Sequence, residues 1–387
     1  MAASLVARTL ARPSFEGAFA APAFVGAMLS FESALARAQA EEGVIDAAAG
    51  PAIAAACGSL QIDVEALVAE GKRSATLAVP LVRMLREEVA RNSSEHAAQV
   101  HFGATSQDVL DTAMALCLKP CLEEADRVLE GTVRSLARRA REHRATPMLG
   151  RTLLQPALQI TAGLKIARWA LALAQDRDRL AEAQAAGLAV QLGGPVGALE
   201  AMGTKGAAVR HRLSLLLGLA DARAWHTHRG AWIDLLGRMA QTVATAGKIA
   251  HDISLMAQPE VGEMLEAPPR EGVGISSAMP HKRNPIACVH ALAAATRMPG
   301  LLATVHAAAM GEHERALGGW QAELSVVPEM AAVLGWSLDF LDTIAGSLVV
   351  NADRMKANVV AYGEAAPAAS FDGAVDELLG DLAPYLS

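Results

Sequence analysis

The chain is poor in the residue types that favour β-structure. Aromatic residues make up only 4% of its 387 residues, and runs of β-branched residues are scarce. Because both types suit pleated, half-buried strands, their scarcity argues against a β-sandwich or a β-barrel. Alanine, leucine, arginine, glutamate and glutamine dominate instead, and these residues favour helices. The composition therefore predicts an all-α fold.

Cysteine is also rare, and its four positions form no pairing motif. Cys117 and Cys121 stand at helical i,i+4 spacing, and no C-x-x-C motif is present, so we expect reduced thiols in a reducing compartment such as the cytoplasm. The 11 histidines form no H-E-x-x-H motif or similar ligand cluster. The sequence therefore predicts neither a metal ion nor a cofactor.

Long uncharged runs and an excess of positive charge are missing as well. Although 52% of the residues are hydrophobic, no run of 18 residues is free of charge, so we predict no membrane span. The net charge is −7 and the isoelectric point is about 5.9, which argues against nucleic acid as a partner. An anionic substrate must then be held by local positive groups and not by the field of the whole protein.

The length and periodicity of the chain predict an extended helical bundle. A chain of 387 residues exceeds the usual limit for one core, so two or three domains are expected. Residues 187–206, which include several glycines, form the clearest irregular interruption. Long helical patterns occupy five stretches, at about 108–143, 156–186, 229–258, 285–310 and 321–350.

Residues 274–285 form a loop in which hydroxyl, amide and ammonium groups are concentrated. The loop contains Ser276, Ser277, Lys282 and Asn284 between glycine and proline residues. Asn284 followed by a proline is typical of an N-cap and first helical residue, which predicts a helix start here. A helix N-terminus attracts anions, and Lys282 adds a full positive charge. The loop therefore predicts a carboxylate-binding site.

Two other segments carry polar side chains next to predicted helix starts. Thr105 and Ser106 precede a long helix, where they can cap it, donate to a bound carboxylate, or do both. Gln155 lies just before Pro156 and a helix predicted to begin at residue 157, so its amide can bind a carboxylate or serve a structural role.

These segments, residues 101–108, 150–155 and 274–285, resemble in order and spacing the three active-site regions of the fumarase/aspartase superfamily. Residues 31–39, 225–229 and 312–315 further resemble one branch of it, the 3-carboxy-cis,cis-muconate cycloisomerases. The likeness spans roughly residues 25 to 358. It implies reversible lactonisation of 3-carboxy-cis,cis-muconate in protocatechuate (β-ketoadipate) degradation.

The resemblance also implies an architecture and a set of site residues. It implies a three-domain subunit, with a helical domain at 1–103, a long-helix bundle at 104–345 and a reduced C-terminal domain at 346–387. Four such subunits form a homotetramer in the superfamily, and each active site draws on three chains. Ser276 matches the catalytic proton carrier, and Ser277 can orient it or share the role. The residues expected to bind the small tricarboxylate substrate are His101, Thr105, Ser106, Gln155, His226, Lys282, Asn284 and Arg315.

Two points leave alternatives open. Leu153 stands where superfamily members that release fumarate often carry a histidine, so a proton donor for a leaving group is missing. This departure favours the cycloisomerase over a fumarate-releasing lyase of the adenylosuccinate or argininosuccinate type. A non-catalytic structural protein on the same scaffold is the third alternative, and the intact Ser276, Lys282 and Asn284 argue against it. The resemblance makes either His226 or His228 an active-site neighbour, and a structural or surface role is equally open for each.

Overall fold

A computed structural model describes residues 7–267, Gly274, Met279, residues 282–362 and residues 372–385. Six helices precede the long bundle: α1 Pro13–Ala18, α2 Ala21–Glu41, α3 Ala49–Ser59, α4 Val64–Ser74, α5 Ala78–Ala90 and α6 Ser94–Ala98. The central and C-terminal helices are α7 Ser106–Glu142, α8 Ala162–Gly187, α9 Gly206–Leu217, α10 Gly230–Met256, α11 Ile286–Ala308, α12 Gly319–Ser347, α13 Ala352–Tyr362 and α14 Asp372–Asp381. Four short strands complete the fold: β1 Pro147–Thr152, β2 Gln155–Thr161, β3 Met264–Glu266 and β4 Leu348–Val350.

The five long helices confirm the all-α prediction, but the start of α8 corrects it. Residues 157–161 were expected to be helical, and they belong to β2, which pairs antiparallel with β1. The helix begins only at Ala162, where the hydroxyl of Thr161 accepts a hydrogen bond from the Leu164 N–H at 3.1 Å. The reason is local: Pro156 and the cap at Thr161 bound a short extended segment, and exposed and half-buried residues alternate over residues 156–159.

Helices α7, α8, α10, α11 and α12 pack lengthwise around one apolar core. Small residues let neighbouring backbones approach closely. A Cβ atom added at Gly163 would lie 2.6 Å from the carbonyl oxygen of Ala140, and one at Gly247 would lie 2.4 Å from the Cβ of Ala295. Alanine and glycine at these crossings therefore set the spacing between α7 and α8 and between α10 and α11.

Helix α7 runs the length of the bundle and connects its two ends. Its 37 residues span about 55 Å at 1.5 Å per residue. We call the end where α7 begins and α10 starts the Thr105 end; there Arg229, the N-cap of α10, contacts Asp111. We call the opposite end, which holds strands β1 to β4 and the start of α11, the hairpin end.

Smaller elements cover both ends. Helices α2 to α6 contribute to two further apolar clusters beside the Thr105 end, whereas Phe15 of α1 packs into the core of the bundle. Gln39 of α2 donates a hydrogen bond to the Phe102 carbonyl at 2.6 Å. At the hairpin end, α13 packs against β1, and Asn358 donates to Glu263 at 2.9 Å. Helix α13 therefore supports the strands that follow α7, while α14 packs against α8.

Two helices have the length and apolar composition of membrane spans, which the absence of uncharged runs did not suggest. In α12, 67% of the most apolar 18-residue window is buried inside the fold, so most of that apolar surface belongs to the bundle core. In α11 only 28% of the corresponding window is buried. The described part of the chain thus leaves much of the apolar surface of α11 uncovered.

The close approach at Gly163 leads to a stability prediction. Gly163→Ala should lower the free energy of unfolding by about 1–3 kcal/mol, because the new methyl group meets backbone atoms of α7 that cannot move aside easily. Gly131→Ala, on an exposed face of α7 with no atom within 4 Å of the new Cβ, should raise it by about 0.5–1 kcal/mol. Urea unfolding followed by circular dichroism compares the two variants, and equal effects would contradict the packing argument.

Candidate active site

The buried carboxylate of Asp108 organises the Thr105 end. Its two oxygens accept hydrogen bonds from the backbone N–H groups of Thr105, Gly193 and Gly194, each at 3.0 Å. His226 Nε2 lies 2.7 Å from the same carboxylate, which as an ionised group can only accept. His226 therefore carries its hydrogen on Nε2. One side chain thus joins the start of α7, the loop after α8 and the segment before α10.

Glycine is required on the loop that faces Asp108. A Cβ atom at Gly193 would lie 2.7 Å from the His226 ring, and one at Gly194, where φ is +71°, would lie 2.8 Å from the carbonyl oxygen of Gly103. Only a residue without a side chain lets this loop approach the histidine and present two N–H groups to Asp108.

A second buried charge cluster, formed by Arg229, Asp111 and Glu323, lies directly behind this histidine. Arg229 donates to Asp111 of α7 at 2.8 Å and to Glu323 of α12 at 2.9 Å, and its guanidinium stacks 4.6 Å from the Trp225 ring centre. Burial opposes the charge, but Asp111 and Glu323 outweigh it, so the pKa of Arg229 lies above its ordinary value. Gln107 extends the network by donating to the His226 carbonyl at 3.0 Å. This cluster fixes the backbone that carries His226.

His101 lies in the loop before α7 and pairs with a carboxylate of α2. Its Nδ1 lies 2.6 Å from Glu32 Oε1, and Glu32 is buried. Burial lowers the pKa of His101, the carboxylates of Glu32 and Asp108 raise it, and the net direction is upward. His101 also adopts a φ of +61°, in the left-handed region that residues with side chains rarely occupy.

Arg315 approaches the same end from the loop before α12. Its guanidinium donates to the Pro195 carbonyl at 2.9 Å, and Pro195 directly follows the glycine that donates to Asp108. Ser106 is the first residue of α7 and stands next to Thr105, its N-cap. The structure therefore brings five of the predicted residues to the Thr105 end: His101, Thr105, Ser106, His226 and Arg315. Burial also distinguishes the two histidines of residues 225–229, because His226 is buried and His228 is exposed.

Gln155 lies at the opposite end of the bundle. It is exposed and pairs with Thr152 across a two-residue turn formed by Leu153 and Leu154. Both turn residues have positive φ, +51° and +64°, and are 96% and 70% exposed. Such a turn strongly favours Asn-Gly, so leucine here costs backbone strain as well as exposed apolar surface.

Lys282 and Asn284 precede α11, also at the hairpin end. The N-cap of α11 is Pro285 and not Asn284, which corrects the predicted cap. The carboxylate of Glu266, at the end of β3, accepts from the N–H groups of Ala287 and Cys288 at 2.9 Å each. This internal carboxylate occupies the first turn that we expected to bind a substrate carboxylate. Lys282, which is exposed, and Asn284, which is half-buried, lie just before this turn.

Ser276 and Ser277 lie outside the residues that the structure describes. Within the described ranges, no group of three or more His, Cys, Asp or Glu side chains could hold a metal ion. All four cysteines are free and buried. Burial raises the pKa of Cys57, Cys117 and Cys121 to about 12, so these thiols stay protonated at neutral pH.

Three acidic residues were missed as parts of the site. Asp108 lies within residues 101–108 and received no role of its own, yet it caps α7 and also binds His226 and the loop of Gly193 and Gly194. Glu32 and Glu266 received no role. The position of Glu32 within residues 31–39 was a signal that sequence reasoning did not use. The contact of Glu266 with α11 has no local signal, because about twenty residues separate the two partners.

Comparisons with known proteins give a consistent picture. The sequence model of a family described as "Lyase" matches residues 7–300. The chain is 45% identical to a 3-carboxy-cis,cis-muconate cycloisomerase of Bradyrhizobium diazoefficiens over 86% of this chain and 74% of that protein. It is 39% identical to a nitrosuccinate lyase of Streptomyces davaonensis, over 89% and 74% respectively. The crystal structure of a 3-carboxy-cis,cis-muconate lactonizing enzyme from Pseudomonas putida superimposes with a TM-score of 0.85 at 36% identity, covering 92% of this chain and 79% of that one.

The four hydrogen bonds to Asp108 lead to a second stability prediction. Asp108→Asn should lower the free energy of unfolding by about 3 kcal/mol, because an amide nitrogen would then face backbone donors and His226 would lose its charged acceptor. Asp221→Asn is the matched control, since that carboxylate pairs with Arg210 in a partly exposed ion pair and should change stability by about 1 kcal/mol at most. Similar losses in both variants, measured by urea unfolding, would contradict the assigned role of Asp108.

Proposed function

The chain belongs to this lyase family, within the fumarase/aspartase superfamily, and on that premise we propose that it is a 3-carboxy-cis,cis-muconate cycloisomerase. The observation that carries the proposal is the agreement of two comparisons. The sequence comparison and the structure comparison both lead to proteins that are named for this activity. Each of the two matches covers most of the chain. The reaction is the reversible closure of 3-carboxy-cis,cis-muconate to a carboxymuconolactone in protocatechuate degradation.

The chemistry demands stabilisation of negative charge. One substrate carboxylate adds to the carbon β to another carboxylate, which produces an enolate-like species that then takes a proton at the α carbon. No leaving group departs, so no acid is needed to protonate one. The main requirement is therefore a set of preorganised donors around a compact anion.

The residues at the two ends of the bundle supply such donors. From the Thr105 end, His101, Thr105, Ser106 and Arg315 offer imidazole, hydroxyl and guanidinium groups, while His226 is held by Asp108. From the hairpin end, Gln155, Lys282 and Asn284 offer amide and ammonium groups. Ser276 is the proposed proton carrier, as acid in lactonisation and as base in the reverse direction, with Ser277 orienting it.

One chain cannot bring both groups of donors to one small molecule. Helix α7 is about 55 Å long and separates Thr105 from the strands that follow it. Helix α11 is about 35 Å long and likewise separates Asn284 from the loop of Arg315. We propose that the complete site forms between subunits of a homotetramer. The uncovered apolar surface of α11 and the exposed leucines at the β1–β2 turn support association.

The remaining properties follow from the same observations. Four buried free thiols suit a cytoplasmic enzyme, and the net charge of −7 does not suit a nucleic-acid partner. Leu153 and Leu154 at the β1–β2 turn carry no proton donor. Their presence disfavours a lyase that must protonate a leaving group. The similarity to a nitrosuccinate lyase makes nitrosuccinate the competing substrate to test.

The function is tested by ultraviolet absorbance with 3-carboxy-cis,cis-muconate as substrate, using the wild-type protein and Ser276→Ala. The wild type should consume the muconate. Ser276→Ala should lose activity by about 10²-fold or more, because positioned proton transfer commonly contributes that much. Thermal unfolding of both proteins checks that the loss is chemical.

Two results would contradict this assignment. Turnover of nitrosuccinate or of adenylosuccinate without muconate consumption would replace the proposed substrate. Near-wild-type turnover by Ser276→Ala would remove this residue from the mechanism and leave Ser277 as the candidate.

The shared site is tested by mixing two inactive variants, one from each end of the bundle. Ser106→Ala alters the Thr105 end and Gln155→Ala alters the hairpin end. If a site draws these residues from different chains, co-refolding should place both intact residues at about one quarter of the sites and restore about that fraction of activity.

The control for this experiment is each variant refolded alone, which should stay inactive. Native mass spectrometry confirms that mixed tetramers have formed. If activity stays absent in confirmed mixed tetramers, Ser106 and Gln155 act within one chain, and the shared site is wrong.

A further inference from the structure

Glu32 is a buried carboxylate in α2 for which the proposed reaction has so far no use. It is 1% exposed and lies among the apolar residues of α2, whose neighbour Phe31 is fully buried. Its Oε1 bonds to His101, while its Oε2 is buried and finds no hydrogen-bond partner among the residues that the structure describes. A half-satisfied buried carboxylate destabilises a protein compared with an apolar residue of similar size. Stability therefore does not explain glutamate at this position.

The partner of Glu32 is held in an unusual backbone conformation. His101 has a φ of +61°. For a residue with a side chain this angle costs about 1–3 kcal/mol, and it persists only where the surrounding structure holds it in place. The next residue, Phe102, is fixed because its carbonyl accepts a hydrogen bond from Gln39, two turns after Glu32 on the same helix. Two polar side chains of α2 thus hold this loop, one through its backbone and one through the imidazole.

The charges around His101 identify Glu32 as the group that controls its protonation. Asp108 of α7 also favours the imidazolium, but its oxygens already accept three backbone N–H groups and His226. Arg86 of α5 acts in the opposite direction and donates to the Val100 carbonyl. Cys57 of α3 stays a neutral thiol because its pKa is raised to about 12. Glu32 is the one carboxylate among these groups that bonds directly to the ring.

We propose that Glu32 is a positioning residue that keeps His101 as an imidazolium and orients it, so that Nε2–H is offered to a carboxylate of the substrate. Nδ1 faces Glu32, so Nε2, on the opposite edge of the ring, is the nitrogen left for a ligand. The imidazolium would add a full positive charge beside the hydroxyls of Thr105 and Ser106. This proposal rests on the proposed function for the identity of the ligand and on the structure for the pairing.

The sign of the pH dependence follows from the direction of the shift. The pKa of His101 is raised above the ordinary value of 6.5, so the imidazolium persists to higher pH than it would without Glu32. Binding of a carboxylate substrate is then strong at low pH and weakens as the pH rises through the raised pKa. Removing the charge of Glu32 should move that loss to lower pH and leave binding at acidic pH intact.

Glu32→Gln is the variant that isolates this charge, because the amide oxygen can still accept from Nδ1–H. The first measurement is KM for 3-carboxy-cis,cis-muconate as a function of pH. The rise in KM should begin about one to three pH units lower in Glu32→Gln than in the wild type, as expected when an opposite charge within bonding distance is removed. The value of kcat at saturating substrate should change much less than KM.

The second measurement needs no activity. Hydrogen–deuterium exchange at the imidazole C2 position, read by mass spectrometry on the peptide that contains His101, gives the protonation midpoint of this histidine in a protein of any size. The midpoint should fall in Glu32→Gln by the same number of pH units as the KM profile. Glu32→Asp, which keeps the charge on a shorter side chain, should fall by less and provides a second variant if Glu32→Gln folds poorly.

Gln39→Ala is the matched control. It removes the other α2 contact with the loop and should lower thermal stability while leaving the midpoint of His101 unchanged. An unchanged midpoint in folded Glu32→Gln would overturn the proposal, and so would a shifted midpoint with an unshifted KM profile. If the wild type does not consume the muconate at all, the proposed function fails. A shifted midpoint would then still establish the control of His101 by Glu32, so the two failures are distinguishable.

Discussion

The arrangement of the Thr105 end depends on one buried cation. Arg229 stands between Asp111 and Glu323, so a single guanidinium ties the start of α7, the start of α10 and the first turns of α12 together. Two indole N–H groups, from Trp232 and Trp320, satisfy the carboxylate oxygens further. Removing one member of such a cluster costs about 3–5 kcal/mol because an uncompensated charge stays buried. The relative rotation of three long helices is thereby fixed where the site residues are attached.

Rigid helices of this length determine how chemistry is distributed in the molecule. The residues before α7, before α10 and before α12 meet at one end, because alternate helices of the bundle run in opposite directions. The residues after α7 and before α11 meet at the other end for the same reason. The fold therefore sorts the three candidate segments by the direction of the helix that each one adjoins. The length of α7 keeps the segment at the Thr105 end apart from the two at the hairpin end within one chain.

The sequence predicts the long helices well because their signals are local. Alanine and leucine periodicity and the cap at Thr105 are sufficient for α7, α10, α11 and α12 to within a few residues. The failures are pairings that the helical pattern of one segment does not reveal. The carboxylate of Glu266, about twenty residues before α11, replaces the predicted cap at the start of that helix. A hairpin replaces the predicted first turn of α8, because residues 157–161 pair with the neighbouring strand β1.

The same distinction applies to the site. The residue types expected to bind a carboxylate follow from the loop chemistry and the superfamily resemblance, and they stay a prediction. The choice between His226 and His228 was not, because burial against Asp108 depends on a fold contact across more than a hundred residues. The pairing of Glu32 with His101 is hidden for the same reason: both residues belong to recognisable segments, and neither segment indicates that the other lies beside it.

The leucines at the β1–β2 turn have an evolutionary consequence. A chain selected only for its own stability and solubility would replace Leu153 and Leu154 by residues that tolerate a positive φ and prefer water. The stability and solubility of the isolated subunit therefore do not account for two leucines at this turn. Replacing the two leucines by a common turn sequence such as Asn-Gly should stabilise the subunit. Such a replacement is a poor choice for engineering a more stable catalyst, because it removes the apolar surface that we propose to support subunit association.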